Sequence, residues 1–260
     1  MATKKAESTE IQIAEVQEQT VELVLVGRTP LIINRLSEKA KHELLLPKGK
    51  KTAADKAGSL KHDPMAEFRA APYTFSDPSS PTFLGMLSTA AKKAMASAAL
   101  DLPGDAKKAQ IGRLTYVHGE MVPVYGKPEV FLSVVRSADM NHTPDVRTRC
   151  IVRDWAIALK VSYVTPILNA TTVINLLSAA GLYVGIGDWR SQKGSGNYGQ
   201  FTVLGAEQAA NDEHVQSIFA VGREAQQTAM ENPVAYNDET TELLSWFATE
   251  VKARGKAATA

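Results

Sequence analysis

GIGDWRSQKGSGNYGQF, residues 185–201, is the stretch on which the reading of this chain turns. Seven of the chain's 17 glycines fall between positions 181 and 205. Glycine tolerates positive φ and lets another backbone come close, so Gly185, Gly187, Gly194 and Gly196 point to a loop shaped around a ligand backbone. A set of tight turns between helix and strand is the plainer account. The interleaved side chains favour the former. Arg190 and Lys193 offer cations for phosphates, and Trp189 and Tyr198 offer aromatic faces, which together suit a single strand of nucleic acid. Phe201 reads as a core residue. Gly194-x-Gly196-x-x-Gly199 matches the dinucleotide fingerprint in letters only, because that fingerprint opens a helix and this one runs into the strand-like Gln200 to Leu204.

Working outward, Thr171 to Ala180 reads as a helix with Asn169 as N-cap and Gly181 as C-cap. Gly199 to Leu204 reads as a strand. Upstream, Arg147 to Val164 alternates as one long strand region, and Ser137 to Asp145 before it reads as a loop. Arg147, Arg149 and Arg153 then share one face, because strand side chains repeat every two residues. Three arginines on one face need an anionic answer, from Asp145, a neighbouring subunit or a phosphate backbone.

Toward the N-terminus, Thr20 to Asn34 reads as strand, a turn and a second apolar run, with Val21, Leu23 and Leu25 against Glu22 and Val24. Pro81 to Leu100 is alanine-rich with proline at its start, which predicts a helix. Shorter strands are expected at Arg113–Val117, Met121–Tyr125 and Val130–Val135. Two tail helices are expected at Glu207–Met230 and Glu239–Arg254. The fold class expected is α+β, an RRM-like (ferredoxin-like) antiparallel sheet core with a long basic insertion and a C-terminal helical tail. The division expected is an arm at 1–19, a core at 20–205 with the insertion at about 37–80, and an acidic helical segment at 206–260. Lys50 and Lys51 belong to the insertion and are candidate phosphate contacts. Gly49-Lys50-Lys51-Thr52 is not a P-loop, since Leu44 stands where that motif needs glycine.

Net charge is +1, but it is unevenly spread. Residues 21–205 hold 23 basic and 15 acidic side chains, a net of +8, and residues 206–260 hold 4 and 9, a net of −5. A basic body with an acidic end fits a polyanion binder with a solvated or self-shielding tail. The single cysteine, Cys150, rules out a disulfide framework and a cysteine zinc site, and makes the cytoplasm the expected compartment. It reads as a small core residue. The first residues are polar and charged, unlike a secretory signal, and no apolar run approaches the roughly 20 residues a membrane span needs. The five histidines are scattered, and neither an HExxH pair nor a GxSxG elbow is present. Asp145 and Asp154 do not stand at metal-ligand spacing. No cofactor, metal site or catalytic residue is expected.

The combination of Ile151-Val-Arg-Asp-Trp155, Ala180-Gly-Leu-Tyr-Val-Gly-Ile-Gly-Asp-Trp-Arg190 and the Lys-Gly-x-Gly-x-x-Gly-x-Phe turn ending at Phe201 resembles the RAMP superfamily. It is similar above all to the backbone subunits of CRISPR effector complexes and to related phage and prophage proteins. The resemblance spans roughly 21–205. It implies an RRM-like palm with an inserted finger, head-to-tail self-assembly along single-stranded RNA or DNA, no catalysis, and a glycine loop with Arg190 near the ligand backbone. The acidic tail has no counterpart in that pattern. The alternatives are an RNA-processing endonuclease of the same superfamily and a viral structural protein without a nucleic-acid ligand.

Overall fold

Alternation in the first strand-forming stretch has two apolar sides, and that sets the layering of the molecule. The computed structural model describes residues 15–36, 45, 62–104, 107–136, 144–193 and 196–258. In β1 (Gln17–Gly27), Leu23 and Leu25 enter the main core, while Val24 faces the other way into a smaller cluster. β1 pairs antiparallel with β9 (Ala156–Thr165) and β10 (Phe201–Gly205), and β9 also pairs with β5 (Thr115–Val117). The resulting four-stranded order is β10-β1-β9-β5.

Two helices cover one face of this sheet. α2 (Thr89–Ala98) comes between β1 and β5 in the chain, and α4 (Ala170–Ala179) between β9 and β10. Ala91, Ala94 and Met95 of α2 meet Val173, Leu176 and Leu177 of α4 over Leu23, Leu25, Leu159 and Val161. Asn169 caps α4 as the sequence predicts, its side-chain oxygen accepting from the Thr172 N–H at 2.8 Å. Gly181 is not the C-cap. The helix continues as a π turn, Ala180–Val184, and Gly185 closes it with φ 72°. On the opposite face, α5 (Ala206–Ala210) and α6 (Glu213–Phe219) bring Ala209, Val215 and Ile218 onto Val24 and Ala156.

A second sheet, β2-β8-β7, is built from β2 (Leu31–Ile33), β7 (Pro128–Arg136) and β8 (Pro144–Val152). A third, β3-β4-β6, comprises β3 (Tyr73–Thr74), β4 (Leu84–Leu87) and β6 (Met121–Pro123). The coarse expectation of an α+β chain with antiparallel pairing therefore holds. Several local expectations do not. Pro81–Leu100 is not one helix, because Leu84–Leu87 is a strand held between β3 and β6. Arg147–Val164 is not one strand. The chain bends at Arg153 and Asp154, and β8 and β9 then serve different sheets. Arg113–Leu114 belongs to the end of α3 (Lys108–Leu114), so only Thr115–Val117 is strand.

Glu207–Met230 is divided into α5, α6 and α7 (Arg223–Glu231). Gln226 of α7 is fully buried among β4 and β6. After it, Val234 and Tyr236 bond to Val130 on the outer edge of β7 at 2.8 Å each. α8 (Asp238–Ala258) follows, anchored where Thr240 accepts from the Leu132 N–H at 3.2 Å. Short α1 (Pro64–Ala70), capped by Asp63, packs Phe68 into the core and lies within the stretch expected as an insertion. Of that stretch, residues 37–44 and 46–61 lie outside the described residues, as do 1–14, 137–143, Gly194 and Ser195. Lys50 and Lys51 are therefore among those not described. Among the described residues no helix is long and apolar enough to cross a membrane.

Cys150 is fully buried in β8, and burial pushes its thiol up far from the thiolate range. It is expected not to react with a thiol-selective dye in the folded protein and to react fully in urea. Rapid labelling without denaturant would show that the β2-β8-β7 sheet opens.

Candidate functional site

The glycine segment is fastened to β2 and to the turn before it, and its two ends are bonded to each other. Ile186 N–H donates to the Gly199 carbonyl at 2.9 Å, Asp188 N–H to Ile32 at 2.9 Å, and Gly199 N–H to Pro30 at 2.8 Å. Two glycines show why side chains are excluded. At Gly187, with φ 85°, a Cβ would press on the Ile32 carbonyl at 2.5 Å. At Gly196 a Cβ would overlap the Trp189 carbonyl. The close approach that the sequence suggests for these glycines is thus made to the protein's own backbone. The turn at Val184–Asp188 is buried at Val184, Gly185 and Ile186 and half-buried at Gly187 and Asp188, as is Arg190, while Gln192, Lys193 and Asn197 are exposed.

Asp188 organises the segment. It accepts from Arg149 Nε at 2.9 Å, from Asn34 Nδ2 at 3.2 Å and from the N–H of Trp189 at 3.0 Å. These bonds hold Trp189 at φ 52°, a left-handed conformation rare for a bulky residue. Trp189 stacks on Tyr198 at 5.7 Å between centroids and on Phe131 at 6.4 Å, and Tyr236 meets Phe131 edge-on at 5.5 Å. Arg149 lies 5.4 Å from the Trp189 ring centre. Trp189 and Tyr198, expected as aromatic faces for bases, turn those faces toward each other and toward Phe131.

The three arginines expected on one strand face have separate fates. Arg149 is buried between Asp188 and the Ser133 hydroxyl, to which it donates at 2.7 Å. Arg153 lies beyond the end of β8, pairs with Glu129 at 3.1 Å and lies over the Tyr236 ring at 4.3 Å. Arg147 is exposed, with Asp145 at 3.9 Å. The shared-face expectation is corrected, because the chain leaves strand geometry before Arg153.

Burial drives the Asp188 carboxyl up, but the Arg149 guanidinium, its hydrogen bond, Asn34 and the Trp189 N–H outweigh it and hold the group below its ordinary 3.8. A depressed carboxyl adds stability above its unfolded pKa and loses it as pH falls through the folded value. Asp188→Asn is expected to flatten the fall in stability below about pH 4 relative to the parent. Urea midpoints between pH 2 and 7 measure this, and parallel curves would remove Asp188 from acid unfolding.

Beside the segment lies a cleft of about 590 Å³. Ile33, Met86, Leu87 and Ala90 supply apolar lining, and Val184–Asp188 forms one wall. Lys93, Lys108 and Arg190 also line it. Arg190 is held by donating to the Gly187 carbonyl at 3.0 Å. Among the described residues, none of Lys93, Lys108 and Arg190 has a carboxylate within ion-pair distance. The lining carboxylate, Asp188, is already answered by Arg149. The N-terminal turn of α2, with Thr89 and Ala90, opens onto the same space. Its partial positive charge has the same sign as the side chains around it.

Sequence reasoning located Gly185, Gly187 and Arg190 at this place. It singled out neither Lys93 nor Lys108 as a contact. Lys193 is exposed nearby but does not line the cleft. No protein-family model matches the chain, and no curated protein matches it.

Proposed function

We propose that this chain is a non-catalytic protein that binds single-stranded nucleic acid, RNA or DNA, along its phosphate backbone and assembles with copies of itself on the strand. The observation that carries the reading is the cleft between α2 and the glycine segment, where Lys93, Lys108 and Arg190 stand without acidic partners among the described residues. Like charges gathered in one cleft repel one another, so the site favours a polyanion that neutralises them. Binding is supported by the lining, where three cations gather beside backbone and apolar side chains and the carboxylate, Asp188, is already paired with Arg149. His62 and His118 lie elsewhere and have partners of their own, His62 with Glu67 and Asp145, His118 with Ser162.

The fold reading goes with it. Strand order β10-β1-β9-β5, with α2 and α4 on one face as the two crossover helices, follows the βαββαβ order of a ferredoxin-like core. We read this core as RRM-like and the chain as related to the RAMP superfamily, with β2, β7, β8 and the third sheet as additions.

Fluorescence anisotropy with labelled single-stranded RNA, single-stranded DNA and duplex, at several salt concentrations, tests the function. Single strands are expected to bind more tightly than duplex, with affinity falling linearly on a double-logarithmic salt plot. Absence of binding to all three would overturn the reading, as would affinity insensitive to salt.

A further inference from the structure

α8 carries an exposed tryptophan. Trp246 is 63% exposed. Glu239 and Glu242 are also exposed. Helical spacing places 239, 242 and 246 along one side, as positions i, i+3 and i+7. The side that meets the body is different. Thr240 is fully buried there, and Leu243 and Leu244 pack against the core. An indole flanked by carboxylates on a regular helix is a shaped, charged feature.

The cleft has the complementary character, with apolar lining at Met86, Leu87 and Ala90 and cations at Lys93, Lys108 and Arg190. We propose that the Glu239–Glu242–Trp246 side of α8 docks into the cleft of a second copy of this chain, with the indole on the apolar lining and the carboxylates on the cations. Desolvated tryptophan anchors and complementary charge are the usual sources of affinity and register in such contacts.

The second copy is required by where the two surfaces sit. The cleft is at the β2 edge of the β2-β8-β7 sheet, lined by Ile32 and Ile33. α8 is fastened to β7, the opposite edge, through Thr240 and Leu132. A contact between unlike surfaces on opposite edges repeats from copy to copy and builds an open chain or a ring. The contact and a nucleic-acid strand exclude each other from the same cleft, so copies assembled on a strand meet through other surfaces and this contact belongs to the strand-free protein. That competition rests on the nucleic-acid reading, whereas the self-association does not.

The test uses the full chain without nucleic acid, followed by sedimentation equilibrium at low and high salt. Concentration-dependent association is expected, weakened by salt. Trp246→Ala should weaken it about thirtyfold, the usual scale for a hot-spot residue. Glu239→Lys with Glu242→Lys should also weaken it, as should Lys93→Glu with Lys108→Glu. A mixture of those two double variants should associate again, since each supplies the reversed half of one interface. Circular dichroism checks that each variant is folded. A monomeric parent overturns the proposal, as does association indifferent to Trp246→Ala. Loss in both charge variants without recovery on mixing also overturns it, because α8 would then meet some other surface. Strand binding measured separately can succeed or fail whichever of these results is obtained.

Discussion

Lys93→Ala, Lys108→Ala and Arg190→Ala combined are expected to abolish most strand binding and to flatten its salt dependence. Each cation that neutralises a phosphate on a single strand contributes about 0.7 to the slope of log affinity against log salt, so three contribute roughly 2. At about 1 kcal/mol per exposed charge contact, their loss corresponds to roughly 150-fold in Kd. The loss should be the same for every base sequence, because phosphate contacts carry no sequence information. Lys160→Ala is the matched control. Lys160 sits on β9 beside Glu22 at 3.9 Å, away from the cleft, and its removal should leave the slope unchanged. Anisotropy titrations between 50 and about 300 mM salt measure both variants. A triple variant with the parent's slope would move the binding site elsewhere.

Gln226→Leu is expected to cost the fold about 4 kcal/mol or more, since each of four buried backbone groups left without a partner costs roughly 1–3. Gln226 Oε1 accepts from the N–H groups of Phe83 and Leu84 at 2.8 and 2.9 Å. Its Nε2 donates to the carbonyls of Val124 and Gly126 at 2.8 and 3.0 Å. One side chain on α7 thus completes the hydrogen bonding at the start of β4 and beyond the end of β6. Leucine has a similar size but leaves all four groups unanswered. That is a large part of the roughly 5–15 kcal/mol by which domains are usually stable. Gln227→Leu, at a half-buried neighbouring position, should stay within about 0.5 kcal/mol. Urea unfolding followed by fluorescence measures both. Equal midpoints would mean that water satisfies the freed groups.

Local chemistry explains which elements were legible from the chain. β1 alternates, and α4 begins at an asparagine whose side-chain oxygen accepts from an N–H of the first turn. Both signals act within a few residues. The helix expected over Pro81–Leu100 failed because Phe83–Leu87 is a short apolar run, equally fit for strand or helix. It becomes a strand through β3 and through β6, which lies more than thirty residues onward in the chain. Arg147–Val164 read as one strand because its alternation runs across Arg153–Trp155. The break comes from a change of partner, β7 before it and β1 after it. Gly181 reads as a cap from its type alone. Its place in a π turn follows from the Phe201 carbonyl, which a Cβ there would strike.

The candidate site divides along the same line. Glycine density and interleaved cations in residues 185–201 are sequence properties, and they marked the turn and Arg190 because backbone freedom and charge are set by residue type. Which cations are free to meet a ligand is a property of pairing in three dimensions. Arg149 is answered by Asp188, 39 residues away, and Arg153 by Glu129, 24 residues away, whereas Lys93 and Lys108 meet no acid among the described residues and reach the cleft from α2 and α3. Side-chain charge is written in the chain, but its compensation depends on distances that folding alone creates, and electrostatic energy depends steeply on those distances.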